Sequence, residues 1–303
     1  MKFQQIATLA EHKAAIYALC EGGETHQIFS AGSDRHVIQW DLKKLKVEAV
    51  VAKSPTTIIS LAFLKRWNYL LIGQVEGGVH IIDLMKGKEF KYLKVHKGYI
   101  FDILYIEEKD ELVFSSGDGS ISIWSVPDFK LLNQKKLTEE KIRRIAYSSS
   151  RKELAVGLGD GRMAFLKTDD WSVLGYSDTY ESAINSVCYS PNADFILAGE
   201  KDAQLHKIHL KESGKEIKLA AHYWAIYDIA FKPTSNGQLF ATASKDKTVK
   251  IWDAQTMRVL KRFEGFADKG HTHSVNALLW SSYKEYLVSA GDDKSIKIWN
   301  IDS

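Results

Sequence analysis

Hydrophobic residues along this chain fall in short alternating runs broken by turn residues. Near the C-terminus, Ser274–Trp280 (SVNALLW) and Tyr286–Ala290 (YLVSA) precede a turn, Gly291-Asp292-Asp293-Lys294, and then Ser295–Trp299 (SIKIW). Period-two runs bounded by Gly and Asp read as antiparallel strands joined by tight turns. No segment sustains a 3.6-residue apolar period over the length of a helix, so the pattern predicts an all-β chain with helix nearly absent.

The strand pattern is also periodic. An aliphatic residue opens a strand at Ile16, Ile58, Ile100, Ile142, Ile184, Ile226 and Val275, at steps of 42 residues and a last step of 49. A second anchor ends a later strand at Trp40, Ile82, Trp124, Leu166, Ile208, Trp252 and Trp299. The two anchors stand 24 residues apart in every unit except the sixth, where the turn-rich Pro233–Gly237 (PTSNG) makes it 26. A fixed period of this size means stacked units that cannot bury their faces alone. Seven short four-stranded antiparallel sheets follow, in one domain over residues 1–303. An outermost strand such as Val47–Ala52 should lie beyond each second anchor, yet only four residues follow Trp299. Gln5–Ala10 stands before Ile16 as Val47–Ala52 stands before Ile58, so the N-terminal strand is expected to complete the last sheet and close the ring, leaving no open ends.

These residues resemble the WD-repeat β-propellers, whose units of about 40–45 residues carry Gly-His near the start and Trp-Asp near the end. Unit six is the clearest copy (ATASKDKTVKIWD, Ala241–Asp253); units two, four and five lack the tryptophan. The resemblance implies a seven-bladed propeller with a hydrogen-bonded tetrad inside each typical blade. Histidine stands at the tetrad position as His12, His96, His222 and His271, in the same four units that hold Trp40, Trp124, Trp252 and Trp299. The tetrad acids are Asp34, Asp118, Asp246 and Asp293, and the hydroxyls are Ser30, Thr242 and Ser289. Unit three departs, with Phe114 at the hydroxyl position and Ser115 next. A Ser-His-Asp trio in this setting is scaffolding, because the histidine is clamped between strands and does not face a cleft.

Composition narrows the chemistry further. Forty-one basic and 38 acidic residues leave +3, too little for a nucleic-acid footprint over the whole surface. Two cysteines, no secretory start and no run of about 18 apolar residues suggest a reducing, cytoplasmic setting without membrane insertion. Cys20 and Cys188, in units one and five, read as small core residues. There is no GxSxG, HExxH or phosphate loop; Gly157, Gly159 and Gly161 fall in a turn with no helix after it. His271-x-His273 and His206-x-x-His209 do not make a metal site, since His271 belongs to a tetrad and residues three apart on a strand face opposite ways. The reading is a non-enzyme with no metal and no cofactor.

What remains is a docking surface. The resemblance implies that partners bind on the narrow face, through side chains flanking the first anchor and preceding the turn acid. Those positions hold Tyr17, Ile59, Val75, Tyr99 and Phe101 on an apolar arc and Lys141, Arg143, Lys201 and Lys245 on the next, basic one, with Tyr227 after the sixth anchor. Aromatics and arginine are enriched at interface hot spots; the plainer reading is inter-blade packing and a solvated rim. Trp224, beside the enlarged loop Phe263–Ser274, adds to the same face, and Arg66 with Trp67 offers a second site opposite. The expected partner is a protein or peptide carrying hydrophobic and acidic or phosphorylated groups, bound by a ring that can stand alone as a monomer. The alternative is RNA or single-stranded nucleic acid, its phosphates on the lysines and arginine and its unpaired bases on Tyr17, Phe101 and Trp224.

Overall fold

A computed structural model describes residues 1–211, 215–235 and 237–302. It consists of seven four-stranded antiparallel sheets, six of them built from consecutive strands. Blade one is Ile16–Glu21, Gln27–Gly32, His36–Asp41 and Lys46–Lys53, and the later blades repeat this order outward. Helix among the described residues is confined to two 3-10 turns, Glu107–Lys109 and Pro233–Ser235. The second turn occupies most of the unit-six insertion, whose Asn236 lies outside the described residues.

The innermost strand of each blade touches the innermost strands of both neighbours, and that of blade seven touches that of blade one. Burial follows this arrangement. The second strand is buried nearly throughout, as in Gln27–Gly32, whereas the outer strand Lys46–Lys53 never becomes fully buried. Seven apolar clusters make up the core, and each draws its residues from two adjacent blades. The cluster between blades six and seven, for example, packs Ala241, Ile251 and Phe263 against Val275, Leu287 and Trp299.

The seventh blade joins the two ends of the chain. Val275–Trp280, Leu287–Gly291 and Ile296–Asp302 are completed by Lys2–Leu9, which starts three residues earlier than the sequence pattern suggests. Phe3 lies opposite Ile301, Gln5 opposite Trp299 and Leu9 opposite Ile296. Phe3 reaches the core between blades six and seven and meets Phe263 edge-on at 6.5 Å.

Buried polar chains hold the inner three strands of four blades together. In blade one the Trp40 indole donates to Ser30 Oγ at 2.7 Å, Ser30 pairs with His12 Nε2 at 2.7 Å, and His12 Nδ1 meets Asp34 at 2.7 Å. Blade six repeats the chain through Trp252, Thr242, His222 and Asp246, and blade seven through Trp299, Ser289, His271 and Asp293. In blade three the hydroxyl comes from neither Phe114 nor Ser115 but from Ser122, directly across the ladder from Phe114. Ser122 Oγ accepts from the Trp124 indole at 2.9 Å and pairs with His96 Nε2 at 2.8 Å, while His96 Nδ1 lies 3.0 Å from Asp118. The Ser115 hydroxyl is buried with no partner among the described residues. Blades lacking the histidine fill the space differently: Thr138 donates to Asp160 in blade four, and in blade five His206 sits between Glu200 and Glu216.

Burial pushes the four imidazoles below the usual 6.5 against the pull of their aspartates, which favours the neutral ring. Burial opposes charge on the aspartates too, but hydrogen bonds from the imidazoles and from nearby backbone and hydroxyl groups hold them low, Asp118 at about 2.

Three outcomes follow from this framework. Removing residues 1–10 exposes the Ile298, Trp299 and Ile301 strand and should cost on the order of 5 kcal/mol, comparable to a typical stability margin; a wild-type melting temperature would contradict the closure. Ser122→Ala leaves the Trp124 indole and His96 Nε2 unpaired, while His96 Nδ1 keeps Asp118, and should cost about 1–3 kcal/mol in urea unfolding, whereas Ser115→Ala removes a hydroxyl with no partner among the described residues and should cost clearly less. The folded state binds fewer protons at these histidines and aspartates than the unfolded chain. The histidine part of their stabilisation is therefore complete above pH 6.5 and is lost as pH falls below it; the aspartate part is complete above pH 3.8 and is lost as pH falls through the depressed folded values. The urea midpoint should accordingly drop on acidification from pH 7 to 5, and a flat profile would contradict the assignment.

Candidate functional site

Each innermost strand carries a β-bulge at one fixed place. The ladder slips between Ile16 and Ala18, Ile58 and Ser60, Ile100 and Asp102, Ile142 and Arg144, Ile184 and Ser186, Ile226 and Asp228, and Val275 and Ala277. A bulge leaves one residue out of the pairing and re-aims its side chain. The residue so released is the one after the first anchor: Tyr17, Ile59, Phe101, Arg143, Asn185, Tyr227 and Asn276. All seven line a cavity of about 490 Å³ to which every blade contributes, at the mouth of the central channel.

A second cavity of about 350 Å³ adjoins it over blades four to six and is lined by Lys141, Lys201, Trp224 and Lys245. Arg143, Asn185 and Tyr227 line both. The eleven residues singled out from the sequence thus all border one or the other, with Tyr17, Ile59, Val75, Tyr99 and Phe101 around the first. The apolar and basic arcs meet at Arg143, whose guanidinium lies 4.8 Å over the Phe101 ring. Tyr99, 43% exposed, packs edge-on against the same ring at 5.3 Å. Trp224, 59% exposed, is covered by Lys245 at 5.2 Å, and the Tyr17 hydroxyl accepts from Ser33 at 3.1 Å. Burial pulls the Arg143 pKa down against the nearby Tyr227 and Tyr99, and burial raises that of the Tyr227 phenol.

One residue further along each strand lies a charge cluster that the sequence reading missed. Arg144 reaches Asp228 of blade six at 3.0 Å and Asp102 of blade three at 3.5 Å. Asp102 also accepts the Ile145 amide of blade four, and Asp228 the Leu278 amide of blade seven, so the two carboxylates tie neighbouring blades. Burial pushes both carboxyls up while Arg144 draws them down, and they in turn keep Arg144 protonated against its own burial. The available signal was compositional. Two residues after the anchor stand Ala, Ser, Asp, Arg, Ser, Asp and Ala, and only charges of opposite sign interrupt the small side chains.

Other singled-out residues lie elsewhere. Arg66 stacks 5.0 Å over Trp67 and pairs with Asp110 at 2.9 Å, and Trp67 is half-buried against the core between blades two and three. The loop before blade seven is fastened by Lys261 to Asp268 at 2.6 Å and by Gln5 to the Lys269 carbonyl, yet Phe266 stands fully exposed. Cys20 and Cys188 are free thiols beside separate inter-blade clusters, and burial raises both, Cys188 to about 12.

Comparison with known proteins agrees with the architecture. The model of the WD domain, G-beta repeat, matches residues 3–41, 173–206, 214–253 and 261–300, which together make up half of the chain. Its frame starts with an outer strand and so runs one strand ahead of the blades, pairing the N-terminal strand with unit one in sequence although it belongs to blade seven in space. The chain is 33% identical over 111 residues to nuclear distribution protein nudF 1 of Talaromyces marneffei, covering 35% of this chain and 22% of that protein. It is 35% identical over 89 residues to nuclear distribution protein PAC1 of Arthroderma benhamiae, covering 27% and 18%. WD repeat-containing protein 55 of Danio rerio is 33% identical over 92 residues, covering 30% and 24%. The matched stretches thus span less than a quarter of each of these relatives. Seven closed blades, four Trp-Ser/Thr-His-Asp chains and the matching repeat model show that this chain belongs to the WD-repeat β-propeller family.

Proposed function

We propose that residues 1–303 act as a single-domain, non-catalytic interaction scaffold that docks a protein or peptide segment at the channel mouth. The observation that carries this reading is the pair of adjoining cavities, with apolar and aromatic walls on blades one to three and uncompensated cations on blades four to six. Among the described residues, Lys141, Arg143, Lys201 and Lys245 make no ion pair, and Glu140 is the only carboxylate beside them in the second cavity. A segment with apolar side chains and an acidic or phosphorylated group complements both halves. The Ser-His-Asp trios support a scaffold over a hydrolase, because each histidine is buried within its blade. The protein would act as a monomer in the cytoplasm, without metal or cofactor.

The nucleic-acid reading needs free aromatic faces for bases to stack on. Arg143 lies over the Phe101 ring and Lys245 over one face of the 59% exposed Trp224, and the Tyr17 hydroxyl is held by Ser33, so these rings are partly engaged within the protein.

Two measurements test the proposal. Proteins crosslinked to the wild-type chain in its native cell should be depleted at least about tenfold with the Tyr99→Ala, Phe101→Ala, Arg143→Ala variant, whose lost side chains are of the hot-spot type; an unchanged set would overturn the assignment of this face. Single-stranded RNA should not be retained at low salt, and retention lost log-linearly with salt would favour nucleic acid instead.

A further inference from the structure

Among the residues released by the bulge, some are already engaged and some are not. In blade seven, Asn276 donates to the Ile16 carbonyl at 2.9 Å and to Asp292 at 2.7 Å. Asn185, its counterpart in blade five, is 6% exposed and makes no side-chain hydrogen bond to any described residue. Arg144 is held by two carboxylates, while Arg143 lies over the Phe101 face and makes no hydrogen bond or ion pair to any described residue. Tyr17 accepts from Ser33, while the Tyr227 hydroxyl has no partner among the described residues. The three unengaged groups come from adjacent blades four, five and six, and all three line both cavities at their seam.

A guanidinium, an amide and a phenol that line one seam without an acceptor among the described residues form an incomplete hydrogen-bonding shell. A sheltered amide with no intramolecular partner needs water or a ligand, and a guanidinium stacked on an aromatic ring keeps its N–H edge free for a planar or tetrahedral oxyanion. We propose that Arg143, Asn185 and Tyr227 form a receptor for one terminal oxyanion, a phosphoryl group or a carboxylate, carried by the docked protein segment. The inference rests on the docking reading above and specifies where the charge sits: on the seam, with Lys141, Lys201 and Lys245 steering the ligand from the rim. Arg144 does not serve, because its charge is already neutralised by Asp102 and Asp228.

The test uses phenyl phosphate and hippurate as the two oxyanion sources, with neutral benzamide as control, titrated into the whole chain and followed by NMR at the Arg143 side chain and the Trp224 indole. Saturable shifts at millimolar concentration are expected for at least one anion, and the stronger of the two identifies phosphoryl or carboxylate as the source. Arg143→Gln and Asn185→Ala should each weaken binding by about tenfold, and Tyr227→Phe, which removes only a hydroxyl, by less. The Lys141→Gln, Lys201→Gln, Lys245→Gln variant should weaken it mainly at low salt. Absence of saturable shifts with both anions overturns the receptor. So does binding that survives Arg143→Gln and follows the lysines, although the channel mouth would then still be the docking face. Intact anion binding together with unchanged protein capture by the Tyr99, Phe101, Arg143 variant would defeat the docking reading alone. Competition between phenyl phosphate and poly(U) would replace the protein segment with nucleic acid.

Discussion

The structure depends on one constraint: a blade has two apolar faces and can bury them only between two other blades. Each of the seven core clusters is shared across a blade boundary. A row of blades would leave two faces wet, and a ring leaves none. The two chain ends must therefore meet, and the ladder from Lys2–Asp302 to Leu9–Ile296 joins them within a single sheet. The same requirement explains why the sequence repeat and the blade are out of step by one strand.

Ring geometry gives individual positions their roles. Inside a blade, tryptophan, hydroxyl, imidazole and carboxylate form a chain in which each buried polar atom finds a partner, and a half-satisfied version would be worse than an apolar one. Blade three shows that the interaction matters more than the position. With Phe114 occupying the usual hydroxyl site, Ser122 on the facing strand supplies the oxygen, and His96 and Trp124 keep their bonds. Ser115 was the nearer hydroxyl in sequence, but neighbours along a strand face opposite sides of the sheet.

At the channel mouth a bulge performs the equivalent service for the surface. It turns one residue per blade toward the axis, so seven positions 42–49 residues apart in the chain become one wall. The next position points deeper and carries the Asp102–Arg144–Asp228 bridge between blades three, four and six. Consecutive arginines thus take opposite parts. Arg144 is spent on holding the ring, and Arg143 keeps its hydrogen-bonding edge.

The alternating apolar runs determined the near absence of helix, and the spacing of Ile16, Ile58, Ile100 and their successors determined the number of blades and the use of the N-terminal strand, because a period in sequence becomes a rotation in space whenever each unit can pack only on its neighbours. The columns of aromatic and basic residues flanking those anchors could be read for the same reason. Which members of a column are engaged was decided only by the tertiary structure. Asn185 and Asn276 are the same residue at equivalent positions, as Arg143 and Arg144 are the same residue one step apart. What separates them is whether another blade brings an acceptor within hydrogen-bonding distance, and that depends on contacts across the ring that no local spacing encodes.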